Sequence, residues 1–320
     1  MAKQVLPICD PHFHLWDLAN RPNSNLGSEV EEQLPTYLGA DYGAEMKTLP
    51  AALRLVSRVH VETVVGQMEG HPVVDTVDET RWVCAQLEPT ESECPFALVA
   101  YVHLARKPEQ AERMLRQHME VSAGRLCGVR MILNHHPDNP ALTWPQVESG
   151  ELMRTGNFRE GLAQLVDLDL SFDLSCHPHQ VADAVAVLCD FPSLRVVANH
   201  VGFLNEDRAH EQLWREAMRA LAELPNVFMK LSMLWFGNQG YHQDESKAAR
   251  VRDTVLELID LFGCQRCMFA SNYPVDKVAG ISISKLYSDF LRWTESRSMK
   301  DRAALFHDTA VKAYRLESSA

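Results

Sequence analysis

The sequence predicts a single α/β barrel of eight parallel strands, and three observations carry that reading. Eight short β-rich runs alternate with amphipathic helical stretches along the whole chain. No composition shift or Pro/Gly-rich linker divides residues 1–320, so one domain accounts for all of them. The Gly-rich phosphate turn that many open doubly wound sheets carry after a strand is missing, which argues against the structural alternative. A chain of 320 residues, 46% hydrophobic and 23% charged, is long enough for such a barrel and its loops.

Taken in order, the runs are PICDPHFHL near 7–15, RLVSRVHVETV near 54–64, PFALVAYVHL at 95–104 and LCGVRMIL at 126–133. LSFDLSC at 170–176, LRVVANHVG at 194–202, NVFMKLSML at 226–234 and RCMFASNY at 266–273 complete the eight. Stretches such as PEQAERMLRQHMEVS, HQVADAVAVLCD, ESKAARVRDTVLELIDLF and ISKLYSDFLRWTES supply the intervening helices. Segments 16–50, 134–158 and 235–246 are long, polar and rich in Gly, Pro and Asn, and each follows a strand. In a barrel such loops lie over the mouth.

Lys plus Arg number 31 against 43 Asp plus Glu, a formal charge of −12, which disfavours nucleic acid as a partner. No apolar run reaches the about 18 residues of a membrane span, and MAKQVLPICD has no apolar signal core, so the expected location is cytoplasmic. Most of the eight cysteines sit in apolar runs as small hydrophobes; Cys264 and Cys267 form one C-x-x-C with no second pair, so packing explains them better than a zinc knuckle.

The chemistry gathers at strand ends. His12 and His14 flank one phenylalanine on the first strand, so their imidazoles project from the same face. Arg130 falls on strand 4, His177 just after strand 5, His200 on strand 6, Lys230 on strand 7 and Asn272 on strand 8. A barrel rings all of these around one mouth. His12, His14, His177 and His200, with Asn272, are therefore the expected catalytic set. His12, His14 and His177 make a minimal shell for one divalent ion such as zinc. Arg130 is suited to a substrate carboxylate through two parallel hydrogen bonds, and Lys230, in an otherwise apolar strand, joins it as a substrate-binding cation or else forms a salt bridge inside the barrel. Trp16, Trp144, Trp235 and Tyr241 lie in or beside the long loops, where they wall a pocket or pin the loops; Trp16 is taken as substrate-binding. Glu62 is left outside the set as an exposed strand-end carboxylate.

The quoted pieces D-P-H-F-H-L-W-D at 10–17, GVR at 128–130, the His177 region, NHVG at 199–202, M-K-L-S at 229–232, SNYPVD at 271–276 and the closing Phe306, Thr309, Ala310, Tyr314 pattern resemble the amidohydrolase-related proteins of the amidohydrolase superfamily. The nearest branch holds sugar-acid lactonases and 2-pyrone-4,6-dicarboxylate lactonase. The resemblance implies a TIM barrel whose mouth hydrolyses a lactone or related ester of a small acid. It also implies that the histidines ligate metal or position water, that in the lactonase branch the metal is often dispensable, and that a strand-8 aspartate activates water. Here that position reads Asn272, and no lysine ends strand 4 to bridge two metals.

Three expectations follow. The first is a hydrolase of a small carboxylated lactone, with a small-molecule acid as its partner and no assigned oligomeric state. The alternatives are a non-oxidative decarboxylase of an aromatic acid, which Asn272 disfavours, and a degenerate barrel that binds without turnover. A neutral amide leaves a divalent ion's charge uncompensated, so any zinc is expected to be weakly held or dispensable. The base is then expected to be a mouth histidine of unperturbed pKa, about 6.5, with Asp276 turned away after Pro274.

Overall fold

In the computed structural model, residues 5–21, 32–63, 76–205 and 208–316 are described. Eight strands form one parallel sheet in sequential order: β1 (Leu6–Phe13), β2 (Leu53–Val61), β3 (Phe96–Tyr101), β4 (Leu126–Ile132), β5 (Ser171–Ser175), β6 (Val196–Ala198), β7 (Val227–Leu231) and β8 (Cys267–Phe269). The sheet closes just beyond β8, where Phe13 bridges Tyr273 in parallel. The Asn272 N–H donates to the His12 carbonyl at 2.8 Å, and the His14 N–H donates to the Tyr273 carbonyl at 2.7 Å. The closing seam therefore runs through three of the residues expected at the mouth.

These strands form where sequence and surroundings agree. Both faces of a barrel strand are covered, so the strands read as near-continuous apolar runs, and in β3 every residue is buried. Helices begin where caps allow: Pro108 opens Pro108–Ser122, Thr155 accepts the Phe158 N–H, and Asp244 accepts those of Ser246 and Lys247. Cys9, Val59, Val61, Ala97, Val99, Val197, Phe228 and Met268 form one buried cluster, against which the C-terminal helix Thr309–Tyr314 packs Ala310, Ala313 and Tyr314. A larger apolar cluster joins strands to helices.

Two expected boundaries move. β6 ends at Ala198 rather than near 202, because His200, Val201, Gly202 and Phe203 all take positive φ, of 57°, 49°, 66° and 54°. Segment 16–50 is not loop throughout: Trp16–Asp17 pairs antiparallel with Thr36–Tyr37, and a helix spans Gly39–Met46. Residues 22–31 of that segment lie outside the described residues. No helix among the described residues is long and apolar enough to cross a membrane.

Candidate active site

β1 delivers His12 and His14 to the same side, both buried, with their Nε2 atoms 3.1 Å apart. His14 Nδ1 lies 2.8 Å from the Val61 carbonyl at the end of β2. His12 Nδ1 lies 3.1 Å from the ammonium of Lys230 on β7, which also donates to Asp173 Oδ2 of β5 at 2.6 Å. Asp173 accepts further from the Tyr314 hydroxyl, at 2.8 and 3.0 Å. The His200 ring lies tilted against that of His12, centroids 4.6 Å apart, and contacts the Ser232 hydroxyl through Nδ1 at 3.0 Å. The structure thus brings together His12, His14, His200 and Lys230.

Arg130 joins them, but not as an open clamp. Its Nε donates to Glu62 Oε1 at 2.6 Å and its Nη2 to the Glu62 carbonyl at 2.6 Å. The remaining nitrogen, Nη1, stands 3.5 Å from His12 Nε2. Two of its three donor nitrogens are already engaged, so the expected bidentate grip on a substrate is not available without displacing Glu62. Glu62, set aside in the sequence as exposed, is 1% exposed, and its second oxygen has no partner. A charge within an apolar strand such as GVRMIL requires a buried counter-charge, and that requirement was the sequence signal pointing to it.

Asp10, in the first motif, is a clamp. It accepts from the Ser271 N–H at 2.9 Å, the Ser271 hydroxyl at 2.6 Å and the Tyr42 hydroxyl at 2.9 Å. That fixes the exit of β8 and sets Asn272 at φ 54°. Asn272 donates to Asp276 Oδ2 at 2.7 Å, and Trp235 Nε1 donates to the same oxygen at 3.2 Å. Asp276 is fully buried, and its other oxygen is unpartnered. The expectation that Pro274 turns Asp276 away is therefore corrected: the helix Val275–Val278 starts at once, and one helical turn returns the carboxyl to residue 272.

His177 stands apart. Its Nε2 is 2.7 Å from the Leu142 carbonyl, and its ring packs with His136, His179 and Phe203. None of its described contacts is to His12, His14 or His200. Trp16 is also committed elsewhere, with Nε1 donating to the Leu34 carbonyl at 2.7 Å and the ring against Tyr37, so it pins its loop. A cavity of about 280 Å³ is lined by Tyr101, His103, Arg106, Arg113, Gln146 and Glu148 among others, and none of the three clustered histidines lines it.

Burial dominates the electrostatics. Desolvation first, then Arg130 and Lys230, pushes His14 down to about 3; desolvation, then Lys230, His200, His14 and Arg130, holds His12 well below the usual imidazole range. His200 is depressed in the same way. The expected base of unperturbed pKa is thus absent from this cluster: the rings are neutral and weakly basic at pH 7. The carboxyls move oppositely. Desolvation raises Glu62 to about 7 against the pull of Arg130, and Asp276 to about 7 against its hydrogen bonds.

Over residues 9–316 the sequence matches the amidohydrolase family model. The chain belongs to the amidohydrolase family. Among relatives, this amidohydrolase is 33% identical over 319 residues to the uncharacterized protein y4mH of Sinorhizobium fredii, covering 97% of this chain and 99% of that one. It is 30% identical over 327 residues to an L-fucono-1,5-lactonase of Burkholderia multivorans, with 97% of each chain covered. A zinc-bound crystal structure of an amidohydrolase from Burkholderia multivorans superposes with a TM-score of 0.77 at 27% identity, covering 97% of this chain and 99% of that one.

A zinc-holding relative raises the question of metal here. The spacing of the two Nε2 atoms fits one ion held at about 2.0–2.1 Å by each, with an N–metal–N angle near 100°. The charges do not fit. Two cations, Lys230 and Arg130, face His12, strand 8 is followed by the neutral amide of Asn272, and that amide donates to Asp276. Among the described residues no group of three or more His, Cys, Asp or Glu side chains is arranged to hold a metal ion. The residues present do not suit a divalent cation.

Proposed function

We propose that this amidohydrolase opens a small carboxylated lactone by water attack at a carbonyl held among His12, His14 and His200, using protein groups alone. The observation that carries the reading is Glu62: a buried carboxyl with a free oxygen and a pKa raised to about 7, hydrogen-bonded to an arginine that adjoins His12. A base poised near the working pH balances ionised fraction against proton affinity. In this account Glu62 takes the proton from water as the Glu62 carboxylate becomes a carboxylic acid. The tetrahedral oxyanion faces imidazole N–H and Arg130 Nη1. Collapse breaks the bond to the ring oxygen, which takes the proton back from Glu62 to leave as the hydroxyl of the hydroxy acid, and Glu62 returns to carboxylate. Arg130 keeps Nη1 beside His12 as a donor toward an anionic substrate, whereas the Lys230 charge is met by Asp173. Asn272 positions Asp276, and its amide is no base to take a proton from water.

The lactonase named among the relatives supports the reaction class, and sugar-acid lactones are the first compounds to try. Turnover of a lactone panel, followed with a pH indicator in chelator-treated protein, is the test. Hydrolysis of one or more acidic or sugar lactones is the expected result. Inertness toward all of them, with carbon dioxide released from aromatic acids, would transfer the site to decarboxylation; inertness in both assays would leave a binding barrel.

A further inference from the structure

We infer that Lys230 fixes His12 in the Nε2–H tautomer, so that His12 offers the mouth a hydrogen-bond donor and not a metal-binding lone pair. Two independent ends of one chain of contacts give the same assignment. At one end, an ammonium has three donors and no acceptor, so its 3.1 Å contact with His12 Nδ1 requires Nδ1 to accept. A neutral imidazole that accepts at Nδ1 carries its hydrogen at Nε2. At the other end, the Val61 carbonyl only accepts, so His14 donates from Nδ1 across 2.8 Å and keeps a bare Nε2. The two Nε2 atoms then meet at 3.1 Å with one hydrogen and one lone pair between them. Changing either ring alone puts two hydrogens or two lone pairs into that gap, and reversing both would aim a His12 N–H at the Lys230 ammonium and a His14 lone pair at the Val61 carbonyl.

The order Lys230 to His12 to His14 to Val61 inverts what a metal centre needs. A ligating histidine donates its outer N–H to a carboxylate or carbonyl, which pushes electron density toward the metal. His14 meets that condition through Val61. His12 has a cation at the corresponding place, held by Asp173 and Tyr314 from below. Moving the His12 hydrogen to Nδ1 would aim an N–H at an ammonium. No change of charge is involved, only which nitrogen bears the hydrogen, and the depression of His12 by burial keeps the ring neutral.

The same geometry gives the donor a use, and this part rests on the proposed hydrolysis. Arg130 Nη1 lies 3.5 Å from His12 Nε2, at the outer limit of a hydrogen bond. A guanidinium only donates, so this longer contact competes with the 3.1 Å Lys230 contact for the single lone pair of His12, and the Nε2–H tautomer gives it up. Two donors side by side define a place for one oxygen. On substrate binding, the His12 N–H turns from His14 to that oxygen, and the two N–H groups share the developing charge. Lys230 is then a positioning residue acting through His12.

The test uses ¹⁵N-imidazole-labelled full-length protein, with zinc affinity measured by calorimetry on chelator-treated samples. His12, assigned by loss of its signals in His12→Gln, is expected as the Nε2–H form at pH 7. Because Lys230→Met leaves Asp173 without its cation, the double variant Lys230→Met/Asp173→Asn is measured alongside it. There Nδ1 no longer faces a cation while Arg130 Nη1 still donates toward Nε2, so the His12 hydrogen redistributes toward Nδ1, and zinc binds about 10- to 100-fold tighter, the range by which groups behind a ligating histidine alter affinity. An Nδ1–H His12 in the wild type, or equal zinc affinity in wild type and double variant, would overturn the inference whether or not a lactone is ever hydrolysed.

Discussion

At the scale of single residues, Arg130 shows how a side chain's partner decides what its removal measures. Read from the sequence as a free cation for substrate, its loss would mainly raise KM. With Nε and Nη2 on Glu62, Arg130→Met strips a carboxyl that is 1% exposed of the cation it pairs with. Breaking one side of such a pair costs about 3–5 kcal/mol. Urea denaturation should show that loss in Arg130→Met and recover most of it in Arg130→Met/Glu62→Gln, whose neutral amide no longer needs the cation; equal losses in both would contradict the pairing. Asp276 allows a cleaner statement about pH. Burial raises its pKa from 3.8 to about 7, so the folded chain prefers the protonated form. That preference contributes stability in full below about 3.8 and is lost as pH rises through about 7. Asp276→Asn removes the loss, so thermal melts should move in the variant's favour from pH 4 to pH 7 and level off above. A constant offset across that range would place the Asp276 pKa elsewhere.

At the scale of elements, the site depends on how strands end. The exits of β6, β7 and β8 carry non-glycine residues at positive φ: His200, Val201 and Phe203, then Met233, then Asn272. A run of left-handed residues costs roughly 1–2 kcal/mol for each non-glycine member, and such strain gathers at functional sites. The strands themselves were legible because barrel strands are apolar runs, and their order along the sheet follows from alternation with helices. These exits were not, since NHVG reads as a continuation of the strand until the backbone leaves it at Asn199. Gly202 shows the cost of error in that turn. At φ +66°, an added Cβ would meet Met218 Sδ and Cε at 2.4 Å and Trp214 Nε1 at 3.2 Å. Gly202→Ala should therefore lower stability by about 1–2 kcal/mol in chemical denaturation, with His200 displaced from Ser232. A variant as stable as the wild type would argue against the left-handed turn.

At the scale of the whole molecule, closure of the barrel is what makes the site. Asp10 and Asn272 are 262 residues apart, yet the first clamps Ser271 and the second donates to the His12 carbonyl, so both ends of the chain meet at the seam. Periodicity and the position of polar residues at strand ends foretold that His12, His14, His200 and Lys230 converge. They did not foretell the pairings, because which carboxylate meets which cation depends on side chains from strands two apart around the ring, Glu62 at the end of β2 with Arg130 on β4 and Asp173 on β5 with Lys230 on β7. That is why Glu62 and Asp276 were passed over and why His177, close to a strand end, faces other histidines instead. The central claim is that a buried carboxyl, not a metal and not a free histidine, activates water. The measurement is the pH dependence of kcat/KM for a hydrolysed lactone, in chelator-treated wild type and in Glu62→Gln. Activity should rise through a pKa near 7 in the wild type, and in the variant fall about 10²- to 10⁴-fold with that limb gone. Activity abolished by chelation and restored by zinc, or an unchanged limb in Glu62→Gln, would contradict it.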